Sequence, residues 1–302
     1  MILVFGTVCI DRIRRVPFLP APGGYVEIED EVDMLGGEAA NTAMALKRWG
    51  AEFTLLSNAM GTGPDGEKLV KLLEAHDLPY TTALPKGSAA APTPVCDIFV
   101  TPDGDRTMYG RHFKDLETGL SDDALVDITA DWFTAEPNMR DLARRMALKA
   151  KDAGMRLYLM DFLDEDIPVG SFWQGSTDAA GQRGNTAANM EWLQNLTARF
   201  DGFGILTDGP HGFVAGSPDS GIRHYPPFPA QAIVDTTGAG DAFRAGMLFG
   251  LDKEWPIHRC LQFASAAGCL SCRSLGATSD IPKLFEIEAL IATHPQVADQ
   301  YQ

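Results

Sequence analysis

The sequence predicts an α/β fold in which a mostly parallel central sheet is covered by helices on both faces. Two observations carry this. Short apolar runs alternate with segments of helical periodicity through most of the chain. The runs are also continuously apolar, as strands buried on both faces are. A third observation adds a smaller part. Two β-rich, turn-rich stretches, 12–35 and about 92–113, break the alternation, and together they form a small second sheet acting as a lid. The 302 residues lie within reach of one large α/β unit, so 1–302 is read as a single domain.

Each element follows from local pattern. "ILVFG" (2–6) is an apolar run ending in Gly, a buried strand. Alternation of Tyr25, Glu27 and Glu29 with Val26 and Ile28 marks an irregular strand pair within 12–35. Residues 38–49 place Ala39, Ala43 and Leu46 at helical spacing, with Gly50 as the stop. "FTLLS" is a strand and "EKLVKLLEAH" a helix. Asp103-Gly104 between two strand-like runs signals a hairpin. "ADWFTAE" (130–136) is a strand, and Asn138 caps the helix that ends at Gly154. "RLYLMD" is the next strand, and from about 164 to 188 no pattern is readable. "FGILT" (203–207) is a strand, followed by helices from about 241, from about 257 and near "PKLFEIEALIAT".

The formal net charge of −16, from 25 basic and 41 acidic residues, argues against a general nucleic-acid or anionic-membrane binder. The 5 cysteines are odd in number and scattered, which suits a reducing cytoplasm better than a disulfide framework. Cys269 and Cys272 form a CxxC without a second ligand pair, and read as helix packing. The short start "MILVFG" lacks the basic opening of a signal peptide, and no run approaches a membrane span.

The segment that carries chemistry is "DTTGAGDAF" (235–243). A turn of small residues before a helix collects unpaired N–H groups that favour an anion. Asp241 within it would repel a permanent phosphate. A transferring phosphoryl group resolves the conflict: the attacking hydroxyl loses a proton to the carboxylate while the amides hold the phosphoryl oxygens. The plainer alternative is a helix N-cap aspartate.

This stretch resembles the second signature of the ribokinase-like (PfkB) carbohydrate kinase family, and "GGEAANTAMALKRWGA" (36–51) resembles the first. "GTVCID" (6–11), "TDGPHG" (207–212) and "FASAAGCLSCRSLGA" (263–277) are similar to the family's first strand, phosphate-side turn and late nucleotide-side segment. The resemblance implies a three-layer αβα sandwich with a small β lid, and ATP- and Mg²⁺-dependent phosphorylation of a hydroxyl on a sugar or related small molecule. It implies Asp241 as base, with Gly238, Ala239, Gly240 and the Asp241 amide as the anion hole. Asp11, Gly37, Asn41 and Glu136 would contact substrate. Thr207, Gly209, Gly212 and Gly276 would lie along the nucleotide. Asp235 and Thr237 sit where the family often binds a monovalent cation such as K⁺. A homodimer through the lid is a further expectation.

The chain departs from the family pattern in places. The Asn-x-x-Glu motif that organises Mg²⁺ has no counterpart. Asn185, Asn189 and Glu191 have the wrong spacing, and Asp161 and "GSTD" (175–178) lie in the same region. Cys9 and Glu38 replace the Asn and Lys of ribose-specific relatives. Arg244 either reaches a phosphate or points to solvent. Arg12, Arg14 and Arg15 either meet an acidic substrate group, cross a subunit interface or line a solvated strand edge. A catalytically silent, ligand-sensing family member is one alternative. Another is an NAD-dependent oxidoreductase using "GTGPDG" (61–66), although Pro64 stiffens that turn and Lys86 stands where an acidic residue is needed.

Overall fold

The protein is described from a computed structural model that covers residues 1–82, 92–116, 128–230 and 232–302. In chain order the elements are β1 (Ile2–Gly6), β2 (Cys9–Arg15), β3 (Asp30–Gly36), α1 (Glu38–Arg48), β4 (Phe53–Ser57), α2 (Pro64–Ala75), β5 (Thr81–Thr82), β6 (Val95–Val100) and β7 (Arg106–Arg111). There follow β8 (Trp132–Ala135), α3 (Asp141–Asp152), β9 (Arg156–Met160), β10 (Phe172–Ser176), α4 (Thr186–Phe200), β11 (Phe203–Thr207), β12 (Phe213–Ser217), β13 (Gly221–Tyr225), α5 (Ala239–Asp252), α6 (Ile257–Ser271), α7 (Leu284–Thr293) and α8 (Pro295–Ala298).

A nine-stranded sheet has the order β13-β12-β11-β10-β9-β8-β1-β4-β5. Every pair from β5 to β11 is parallel, and β11-β12-β13 is an antiparallel edge. Strand β1 is buried throughout because alternate residues serve two cores. Ile2 and Val4 pack with apolar residues of α1, α5, α6 and α7; Leu3 and Phe5 pack with those of α3 and α4. This is the expected αβα sandwich.

The chain leaves β1 toward β4 and β5, then returns to β8 on the other side. That reversal opens a crevice at the carboxyl ends of β1 and β8, the place where open α/β sheets bind ligands. Over it lies a separate four-stranded sheet, β3-β2-β6-β7; its first two strands lie at the ends of the first β-rich stretch, and the alternating Tyr25–Glu29 segment expected to be a strand is in none. The Asp103-Gly104 hairpin forms as expected, with Gly104 at φ 79°.

Several expectations need correction. Asp11 lies in β2 of the small sheet, not at the end of the first strand, because β1 stops at Gly6. Asn138 does not cap α3. It sits in a 3₁₀ turn, the residue before the helix is Arg140 at φ 50°, and the Asn138 amide turns to Glu38 Oε1 at 3.4 Å. The unreadable stretch contains β10, whose centre is Gln174-Gly175; the Trp173 ring fills the space a Cβ at 175 would take. Helix α4 buries Asn189 and Thr197 beside Leu193 and Leu196, so its apolar stripe is interrupted.

The arginines of β2 are not at a strand edge, since β3 and β6 flank that strand. Arg12 pairs with Asp65 and Asp33, and Arg14 with Asp97 at 2.5 Å. Both alternate with Asp11 and so stand on the opposite face from it. The Gly61–Gly66 turn closes on itself: the Gly61 carbonyl occupies the space beside the Gly66 Cα. The Lys86 expected to weaken the dinucleotide reading lies outside the described residues. Among the described residues no helix is long and apolar enough to cross a membrane.

Candidate active site

Three strand ends build the floor of the crevice. After β1, the Thr7 amide donates to Glu136 Oε1, just beyond β8. The Val8 amide donates to Asn58 Oδ1, just beyond β4, at 2.7 Å. Glu136 lies so close over Gly6 that any Cβ there would overlap its carboxylate. Glycine is therefore required at 6 to admit the buried acid.

Helices α1 and α5 supply the wall. Gly37, at φ 95°, lets the chain approach the Thr7 carbonyl and start α1 at Glu38. Gly238, at φ 77°, starts α5 in the same way. The two helices then meet through polar groups. Asn41 Nδ2 donates to Asp241 Oδ2 at 2.8 Å. The fully buried Arg244 donates from Nε to Thr42 Oγ1 at 2.8 Å and from a terminal nitrogen to the Glu38 carbonyl, and lies 3.5 Å from Asp241 Oδ1. A solvent-facing Arg244 is thus excluded. The first α5 ladder bond runs from the Ala242 amide to Gly238. The Gly240 and Asp241 amides precede it and point out of the helix end, while the Ala239 amide donates to the Thr236 carbonyl at 3.3 Å.

The small sheet contributes Asp11, whose carboxylate covers Gly36 and accepts from Cys9 Sγ at 3.3 Å. Beside it, Asp235 accepts from the Thr237 amide and hydroxyl at 2.8 and 2.6 Å and from the Gly276 amide at 2.8 Å. Gly276 is held between Asp235 and the Met34 and Ile13 side chains of the small sheet.

Three of the expected nucleotide residues form a second group at the end of β11, while Gly276 stands apart from them against Asp235. Thr207 Oγ1 donates to the Gly175 carbonyl at 3.1 Å, and Gly209 and Gly212 take φ of 51° and 84° around a 3₁₀ turn. Asp208 organises this turn, accepting from Thr177 Oγ1 at 2.8 Å and from the Gly184 amide at 2.9 Å. Asn185 caps α4, and Asn189 is spent on Gln182 and Asp208. Gln174 joins the two groups: it accepts from Tyr158 at 2.7 Å and donates to the Gly240 carbonyl at 2.9 Å.

Sequence reasoning missed Arg106. The first residue of β7, it donates to Thr236 Oγ1 at 2.7 Å and lies 4.0 Å from Asp178. The hairpin tip beside it accepts from the Thr236 amide through the Gly104 carbonyl at 3.2 Å. No motif marks a lone arginine after a hairpin turn; only the packing of the small sheet on residues 233–236 reveals it.

Burial dominates the electrostatics. It pushes Asp241 and Asp161 up to about 6 and Asp11 up to about 7, and Glu38 well above the usual range. Neighbouring carboxylates add to the rise, and Arg244 opposes it at Asp241, Asp161 and Glu38. Groups raised in the fold bind protons more tightly there than in the unfolded chain. Their contribution to stability is complete below the ordinary value of 3.8 and is lost as pH rises through 6 and 7. The ligand-free protein is therefore expected to melt lower at about pH 8 than at about pH 5.5, by at least about 2 °C. Calorimetric melts across this range check it, and a higher melting temperature at pH 8 contradicts it.

The profile of pfkB family carbohydrate kinases matches residues 1–118 and 173–284. A Dictyostelium discoideum uncharacterized sugar kinase is 27% identical, with 96% of this chain and 97% of that protein covered. A nucleoside kinase of Methanocaldococcus jannaschii is 25% identical, with 96% of each covered. Among solved structures, ribokinase from Giardia lamblia superposes with a TM-score of 0.81 at 17% identity, covering 97% of this chain and 99% of that one. Arabidopsis thaliana ribokinase complexed with ribose and ATP gives 0.74 at 19%, covering 96% and 98%.

Proposed function

The chain belongs to the pfkB family of carbohydrate kinases, phosphotransferases with an alcohol acceptor, and from that premise we propose that it phosphorylates a hydroxyl of a sugar or nucleoside with ATP, using Asp241 as the base. The observation that carries this reading is the placement of Asp241: buried in the first turn of α5, held by Asn41 and beside two amides that point out of the helix. Asp241 takes the proton of the acceptor hydroxyl. The hydroxyl oxygen bonds to the γ-phosphorus as the bond from that phosphorus to the β–γ bridging oxygen breaks, and ADP leaves with the electron pair. The Gly238–Asp241 turn holds the transferring oxygens. Asp11, Asn41 and Glu136 orient the acceptor against the wall made by Gly37, and the Thr207–Gly212 turn and Gly276 flank the nucleotide. The small sheet acts as a lid that excludes water.

Among the described residues no three acidic, His or Cys side chains converge on a metal; in this reading Mg²⁺ is held mainly by the phosphates. Asp178, half exposed beside Arg106, is the carboxylate we assign to it. Bound Mg²⁺ neutralises phosphate charge. Asp235 and Thr237 are assigned to a monovalent cation, with K⁺ as the test ion. The same reading puts the protein in the cytoplasm, with a second copy against the exposed Met108 and Tyr109 of β7.

The test is acceptor-dependent ADP release against sugars and nucleosides, with Mg²⁺ and with or without K⁺. Acceptor-dependent release supports the reading; ligand binding without release overturns it. Arg106 provides a second check. Its guanidinium, carried by the lid to Thr236, is placed to bind the transferring phosphoryl group. Arg106→Ala is expected to lower kcat about 10²-fold with little change in acceptor KM, and Arg106→Lys to recover part of the loss. An unchanged kcat removes Arg106 from the chemistry.

A further inference from the structure

We propose that the acceptor is an amine-bearing sugar or cyclitol, whose ammonium group is held by Glu38 and Glu136 while a neighbouring hydroxyl faces Asp241. This rests on the kinase reading of the same crevice and names its substrate class.

Two independent observations carry it. The first is an imbalance of unsatisfied groups. Glu38 Oε2, Asn41 Oδ1 and Glu136 Oε2 are buried acceptors without a partner. Glu136 is 0% exposed and Asn41 8%. The unpartnered donors at the crevice are Arg244 Nη1 and the Thr7 hydroxyl, which can also accept; the Trp132 indole N–H and the Thr134 hydroxyl, within β8, are unpartnered as well. Buried acceptors left unpaired are costly, so the complementary ligand presents mainly donors here. A phosphate or carboxylate on the acceptor would present more acceptors and meet like charge.

The second is charge. Glu38 feels Glu136, Asp241 and Asp161, and Asp11 feels Asp241 and Asp235. Asp178 presses on Asp161 as well. Arg244 is the cation set among Glu38, Asp161 and Asp241, and Arg106 reaches Asp241 from the lid. Arg244 is already committed to Asp241, Thr42 and the Glu38 carbonyl. A neutral polyol would satisfy the lone pairs without supplying a counter-charge to the carboxylates. An ammonium supplies three donors and a charge together. Its arrival favours the ionised carboxylates, so binding near neutral pH releases protons.

The test uses matched pairs: glucose with glucosamine, galactose with galactosamine, mannose with mannosamine, and the three N-acetylated amines, with glucose 6-phosphate and gluconate as anionic members. Phosphorylated product is read by mass spectrometry, and binding by calorimetry in buffers of different ionisation enthalpy. At least one amine is expected to exceed both its neutral and N-acetylated counterparts by about tenfold or more in kcat/KM or affinity, with proton release on binding. Glu38→Gln is expected to reduce that ratio about tenfold, a readout that a purely structural role of Glu38 would not move. Phosphorylation of neutral sugars without preference for the amine overturns the substrate class and leaves the kinase reading intact. Amine binding with proton release but no product upholds the class and overturns the kinase reading. No binding of any amine overturns the class.

Discussion

Replacing Asp241 with Asn is expected to lower kcat by about 10³-fold while nucleotide binding and the fold persist. The side chains are nearly equal in volume, and the amide oxygen can still accept from Asn41. What disappears is the only property the proposed chemistry needs, a proton acceptor at the start of α5. The wild-type protein should lose activity as pH falls through about 6, because Asp241 is raised to about 6, first by burial, and its protonated form is idle. Steady-state kinetics of both proteins, with a pH profile for the wild type, check this. A variant that keeps a tenth or more of wild-type kcat would sink the assignment of the base.

Arg244→Met is expected to destabilise the fold by about 3–5 kcal/mol, the effect of stripping one partner from a buried ion pair. Arg244 is fully buried and joins α5 to α1 through Thr42 and the Glu38 carbonyl. Removing it leaves those acceptors unpaired and Asp241 without its counter-charge. Adding Asp241→Asn to the variant should recover part of the loss, since the stranded carboxylate goes too. Denaturant melts of the single and double variants measure it. A single-variant loss within about 0.5 kcal/mol, the scale of a surface change, would show that the helix pair does not depend on this arginine.

Much of the fold was legible because its inner strands are short, continuous apolar runs. β1, β4 and β11 match the sequence reading residue for residue. Strand β10 escaped because its buried polar residue serves two neighbours, Tyr158 and Gly240, and polar composition reads as loop. α4 was hidden by Asn189 and Thr197 on its inner face. The hairpin β12–β13 lies in a stretch where the sequence reading placed no element. In the candidate site, Asp241, Asn41, Gly37 and Glu136 were found through residue types in a recognisable order, and the structure brings them to one crevice. Arg106 and Gln174 carry no local signal, and the quoted "TDGPHG" turn does not reveal what Asp208 holds. Their roles come from partners far away in sequence, which no window along the chain contains.

The small sheet holds both Asp11, over the crevice, and the Gly104–Arg106 tip, which rests on Thr236 beside the phosphate turn. One hydrogen-bonded sheet thus touches the places proposed for acceptor and nucleotide. Whatever free energy acceptor binding gives to docking that sheet is then also given to the nucleotide. Linkage requires the reverse effect to have the same factor: the nucleotide must tighten acceptor binding as much as the acceptor tightens the nucleotide. Order of addition would leave the product of the two affinities unchanged, and Gly104→Val, whose side chain would meet Ile233 where the tip docks, would weaken the cooperativity while leaving each binary affinity nearly intact.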